Sequence, residues 1–203
     1  MNPYAQAGWS NPANPHSVND RPWTPNAPAQ PSIFGALPFA QPGSPQQFHS
    51  FTFTSLRPNI LNSTVLGPRD KMYIAVVTDQ PKPGFTLLHL ADGKAFGVIQ
   101  WGQRTIVEVR DIVRKQFAGD FLKLTGDGTS RIMEARGKTY TWVPKGEFLC
   151  LYTYGHSTPE LMARVSRGRG IVTLEMSTRA LQVGLMEVAT LATVLMLSGR
   201  PLN

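Results

Sequence analysis

Charge is scarce in this chain. Acidic and basic residues together make up 16% of its 203 residues, against about a quarter in an average soluble protein. Cysteine is nearly missing: Cys150 stands alone, which excludes an intramolecular disulfide framework and a zinc site built from several thiolates. Long hydrophobic runs are missing too. The longest apolar stretch without a charge, residues 188–199, still carries Thr190, Thr193 and Ser198, and falls short of the roughly 20 apolar residues that cross a bilayer. Glu187 sits inside the wider segment 181–197, where a central charge costs about 2.5–3.5 kcal/mol on insertion scales. Met1-Asn2-Pro3-Tyr4 has no basic stretch leading into an apolar run, so no secretory signal is expected. Asn2 argues against myristoylation and Pro201-Leu202-Asn203 against prenylation. These absences predict a soluble, intracellular, cytoplasmic protein that meets membranes only peripherally, with a tail anchor through the last segment as the alternative.

Catalytic signatures are lacking as well. There is no HExxH, no GxSxG and no dinucleotide fingerprint leading into a helix. Gly126-Asp127-Gly128-Thr129 has neither the spaced acids of a calcium loop nor the lysine of a phosphate loop. Cys150 and His156 invite a nucleophile–base reading, but Cys150 lies in the apolar run Phe148-Leu149-Cys150-Leu151-Tyr152, where a free cysteine packs as a small hydrophobe. His89 and Asp92 flank a turn and form no triad. A non-enzymatic protein without metal or cofactor is the expectation.

What is present divides the chain in two. Of 17 prolines, ten fall in residues 1–50, a stretch whose only charged residues are Asp20 and Arg21. This region is rich in Asn, Pro, Ala, Gln and Ser, with isolated aromatics and no period. It offers little apolar surface against its ordering entropy, so a disordered arm over 1–48 is predicted. Pro22, Pro25, Pro28 and Pro31 recur every third residue, the repeat of a polyproline II helix, and would line one face. That face suits the aromatic grooves of SH3- and WW-like domains. A plain spacer is the competing reading.

The remainder carries the whole net charge of +7. Turn signals punctuate it at Asp92-Gly93, Gly126-Asp127-Gly128, Arg136-Gly137, Lys145-Gly146 and Gly168-Arg169-Gly170. Between them lie short runs rich in β-branched and aromatic residues, at 51–56, 72–78, 85–90, 95–101, 105–109, 121–124, 131–135, 138–143, 148–153, 161–165 and 171–176. Many short strands with turns every 8–12 residues or so argue for an antiparallel barrel or sandwich. The last segment breaks the rhythm. After Ser177-Thr178, which offer N-caps, residues 180–197 lack proline and are rich in Leu, Met and Ala. This predicts one helix that is apolar on every side and must be buried on every side. The expected domain, 49–200, is therefore a mainly β protein: an antiparallel β-barrel wrapped around helix 180–197.

That order, with Asn62-Ser63-Thr64-Val65, Tyr140-Thr141-Trp142, Ala163-Arg164-Val165, Leu174-Glu175-Met176 and the helix running to Arg200, resembles a family of uncharacterised domains from mushroom-forming fungi. That family looks like a member of the tubby C-terminal-like group, with the LURP-one-related proteins and phospholipid scramblases. The resemblance covers residues 50–200 and implies a barrel enclosing its last helix. It implies no activity. The calcium segment and cysteine cluster of scramblases have no counterpart here.

Arg164, Arg167 and Arg169 lie within six residues around a glycine-rich turn. Guanidinium groups on a hairpin tip can pair bidentately with phosphate oxygens, and the chain's pI is near 9.9. They are the candidate anion site, with anionic membrane lipids, phosphoinositides among them, as the expected partner. Arg110, Arg114 and Lys115 form a second basic stretch, interrupted by Glu108 and Asp111. Nucleic acid is disfavoured: a single Arg-Gly-Arg-Gly is no RGG array, and no RNP or KH signature occurs. Tyr140 and Trp142 read as packing residues rather than a base-stacking platform. Three functions follow: a lipid-docking module, an adaptor using Pro22–Pro31, or a scramblase-like or tail-anchored membrane protein. Oligomeric state is left open.

Overall fold

The computed structural model describes residues 46–56, 59–78, 84–155 and 158–202. The proline-rich arm, with Pro22, Pro25, Pro28 and Pro31, and also His156, lie outside the described residues. The domain starts slightly earlier than expected. Gln46 donates its side-chain amide to the Leu161 carbonyl (2.7 Å), and the Gln47 carbonyl accepts from the Thr178 amide (3.0 Å), so β1 is already under way at Phe48.

Thirteen strands follow: β1 (Phe48–Thr54), β2 (Ser63–Leu66), β3 (Met72–Thr78), β4 (Phe85–Leu90), β5 (Ala95–Gln100), β6 (Ile106–Val109), β7 (Val113–Phe117), β8 (Lys123–Leu124), β9 (Arg131–Ala135), β10 (Lys138–Lys145), β11 (Phe148–Thr153), β12 (Leu161–Gly168) and β13 (Ile171–Ser177). Among the described residues three α-helices join them, α1 (Ala118–Phe121), α2 (Thr178–Gln182) and α3 (Met186–Leu197), with a short 3-10 turn at Pro68–Asp70. The strands form one antiparallel sheet in the order β7-β6-β5-β4-β3-β2-β1-β13-β12-β11-β10-β9-β8. Nearly every neighbour in space is a neighbour in sequence, as short hairpin turns dictate. The exception is β1, which pairs with β13 from Phe48↔Ser177 to Phe53↔Val172 and ties the two halves together.

Inward and outward residues alternate as a pleat requires. Phe51 and Phe53, Ile74 and Val76, Val107 and Val109, Tyr140 and Trp142, and Val172, Leu174 and Met176 are all buried. The inner face curves around α3, which packs against both β5 and β13 although four other strands separate them in the sheet. Every residue from 188 to 195 is buried, so the sequence reading of an all-round apolar helix holds. Gly97 on β5 lies against the helix: a Cβ there would stand 3.5 Å from Leu191 Cδ1.

The structure corrects that reading at two points. The sheet is strongly curved but not closed, because β7 and β8 are unpaired edges and α1 lies against both. Phe117 ends β7, the chain turns once through α1, and β8 is only two residues long. That is too short to build a closing ladder. The predicted helix 180–197 is also two helices. Ser177 caps α2 as expected, accepting from the Ala180 amide (3.1 Å). Gly184 then adopts φ +71°, its amide bonding the Leu181 carbonyl (3.0 Å) while the Leu185 amide reaches Ala180 (3.1 Å). This pair of bonds is a Schellman stop, and it leaves α3 only about 18 Å long at 1.5 Å per residue.

Candidate functional site

Antiparallel pairing sorts the strand ends into two rims, and only the β7–β8 connection through α1 leads from one to the other among the described residues. The ends of β1, β3, β5, β8, β10 and β12 share the upper rim with the end of α3; the starts of those strands and α2 form the lower rim. The β2–β3 and β4–β5 turns of the lower rim interleave both signs, with Arg69, Asp70 and Lys71, then Asp92 and Lys94. Asp92 accepts from the Lys94 amide and pairs with its ammonium at 3.0 Å, and these contacts hold its carboxyl below the ordinary range. His89 Nδ1 lies 3.1 Å from the Gly93 carbonyl, so this cluster serves a turn. Arg110 belongs to the same rim, and Arg114 and Lys115 are exposed on the edge strand β7. The second basic stretch is therefore at the opposite end from the glycine-rich arginine turn.

The upper rim is one-sided. Among the described residues it gathers Arg104, Arg131, Lys145, Arg167, Arg169 and Arg200, set against Asp127 and Glu147. Arg104 stacks on Phe117 at 3.6 Å and Arg200 on Trp101 at 4.7 Å. Trp101 in turn donates its indole N–H to the Thr86 hydroxyl (2.8 Å), which is 2.7 Å from the hydroxyl of Thr78. Arg131 donates to the Leu122 carbonyl (2.8 Å). Asp127 belongs to the β8–β9 turn, where the Thr125 and Thr129 hydroxyls donate to it and lower its carboxyl to about 2.

The three arginines singled out in the sequence have different surroundings. On β12, Ala163 and Val165 face inward while Arg164 is on the outer face. Its guanidinium makes a two-point bond to Glu175, 2.6 Å and 3.2 Å, with Phe48 and Phe148 rings 5.3 and 5.2 Å away. The Glu175 contact raises the Arg164 value. This partnership follows from the turn itself: once Gly168 faces Ile171, Arg164 must face Glu175. Arg164 is thus committed within the sheet. Arg167 and Arg169 are exposed at the hairpin end and have no carboxylate partner among the described residues. Beside them Ile171 is 46% exposed, an apolar side chain that the sequence reading did not single out.

Tyr140 and Trp142 are both buried, which places them in packing; burial pushes the Tyr140 phenol up. Cys150 is buried on β11. Among the described residues no three His, Cys, Asp or Glu side chains converge, and no helix is long and apolar enough to cross a membrane.

Comparison with known proteins adds little. No family profile matches the chain, and no curated protein does. A solved structure of the Arabidopsis thaliana protein AT5G01750 aligns over 70% of this chain and 90% of its own, at 10% identity and a TM-score of 0.37. That likeness is too slight to bear on function, which rests on the rim itself.

Proposed function

We propose that this domain is a non-enzymatic binding module that docks on anionic phospholipid surfaces through its upper rim. The observation that carries the reading is the β12–β13 hairpin, which puts at a single tip two guanidinium groups without a carboxylate partner among the described residues and one exposed apolar side chain. Each basic side chain near an anionic leaflet contributes about 1 kcal/mol, and an adjoining aliphatic residue can enter the headgroup layer. Lys145, exposed on the neighbouring β10–β11 hairpin, extends the basic strip. The same reading assigns the domain to the tubby C-terminal-like group and its fungal relatives; strands first and a buried helix last support that assignment.

Co-sedimentation with phosphoinositide-containing liposomes tests it. Binding should fall with salt, and Arg167→Glu with Arg169→Glu should weaken it about thirty-fold or more, the equivalent of two lost contacts. Arg164 is left intact, since its loss would disturb the Glu175 pair. Binding indifferent to both salt and charge reversal would refute the proposal. The three-residue proline spacing supports an adaptor role for the arm as a second reading; deletion of residues 1–45 should then remove binding partners in pull-downs.

A further inference from the structure

The outer face of β10 and β11 carries a groove of about 740 Å³, within the usual range for ligand sites of roughly 300–1,000 Å³. Alternation builds it. Tyr140 and Trp142 point into the core, so Thr141 and Val143 point outward. Thr141 stands opposite Tyr152 in the β10–β11 register. Tyr154 lines the same groove two residues further on, and Pro159, from the β11–β12 connection, adds to the wall. Tyr154 is 60% exposed, more than any other large hydrophobic side chain among the described residues. Among those residues, none that lines the groove is charged, and neither phenol hydroxyl has a hydrogen-bond partner.

Size, hydrogen bonding and charge each narrow the occupant. Seven described residues line the groove, far fewer than the roughly 20–30 a side of a stable protein–protein interface, so it fits a peptide segment rather than a second copy of the domain. β10 and β11 are each paired on both sides, so they offer no free ladder to an added strand. A polyproline II segment needs no ladder: it makes no internal hydrogen bonds, and its carbonyls stay open to donors. Aromatic-lined grooves take such segments because they are ordered before they bind, and tyrosine hydroxyls can donate to the carbonyls. A wall without charge matches a ligand without charge. We infer that this groove binds a proline-rich segment of another polypeptide in the polyproline II conformation, with Tyr152 and Tyr154 as its anchors. The inference is independent of membrane docking, which uses Arg167 and Arg169; neither residue lines the groove.

The test is an NMR titration of the ¹⁵N-labelled full chain with acetyl-decaproline amide as the probe. Its mirror image, built from D-proline, is the control, with the same composition and the opposite hand. Decaproline should shift the amide signals of Thr141, Tyr152 and Tyr154 saturably, and the D-peptide should not. Tyr154→Ala should weaken binding about tenfold or more, as truncation of an aromatic anchor does. Tyr152→Phe, which keeps the ring and removes the donor, should weaken it about threefold. Arg167→Glu with Arg169→Glu should leave decaproline binding unchanged, even where it abolishes liposome binding. Groove signals unmoved by decaproline, or moved equally by its mirror image, would overturn the inference. So would shifts of those signals on raising the protein concentration alone, which would give the groove to a second copy. The wild-type comparison of the two peptides decides the matter even if a tyrosine variant fails to fold.

Discussion

Leu191 is the most informative side chain to shorten. It sits mid-way along α3, wholly buried, and approaches β5 where Gly97 has no side chain. Buried Leu→Ala changes cost about 2–5 kcal/mol, more where the surroundings cannot collapse into the space. A glycine opposite has nothing to move inward, so Leu191→Ala should fall in the upper half of that range. Urea unfolding followed by tryptophan fluorescence measures it, and the m-value should stay constant because the unfolded surface is nearly unchanged. The same contact predicts coupling. Gly97→Val forces atoms against Leu191 and Leu88 and should cost about 1–3 kcal/mol as overpacking. It should cost less when Leu191 is already alanine. Strict additivity of the two changes, or a loss below about 0.5 kcal/mol for Leu191→Ala, the value typical of surface sites, would refute the packing of α3 against β5.

Two further predictions address the corrections and the rim. Gly184→Ala should destabilise by about 1–2 kcal/mol, the cost of a left-handed residue with a Cβ, with Arg136 Nε only 2.9 Å from the new carbon and forced aside; unchanged urea midpoints would contradict the Schellman stop. Asp127 has its carboxyl lowered from 3.8 to about 2 by the two threonine hydroxyls and the Thr129 amide. Its folded value lies below its unfolded one, so its contribution to the β8–β9 turn is complete above about pH 4 and lost as pH falls through about 2. An NMR titration midpoint near 3.8 would show that the turn does not hold it.

Much of the fold was legible because its elements are locally consistent. The strands at 72–78, 85–90, 131–135 and 148–153 were bounded by turn residues and rich in β-formers, and they match the sheet to the residue. The misses share a cause, which is that long-range context decided them. β7 carries Arg114 and Lys115, charges that suit an edge strand but disguise a strand read in isolation. β2 has four residues, too few for a period. Residues 121–124 read as a strand because Phe121-Leu122 is apolar, yet Phe121 closes α1 under the open seam. Gly184 was visible all along, and its weight was masked by the apolar residues on both sides.

The site was legible only in part. Proximity in sequence grouped three arginines that alternation separates, although hairpin register would have revealed Glu175 opposite Arg164. Arg131 and Arg200, remote along the chain, join the upper rim only because antiparallel order brings alternate connections to one end. Trp142 was correctly read as a packing residue.

The central claim is that α3 is sheltered by the strands of its own chain, which alone fixes the two rims and what each presents. Hydrogen exchange on the intact protein tests it residue by residue. The amides of residues 190–195 should exchange only through global unfolding, as slowly as those of β13 and β1. Exchange of those amides on the timescale of exposed loops, with the strands still protected, would contradict it.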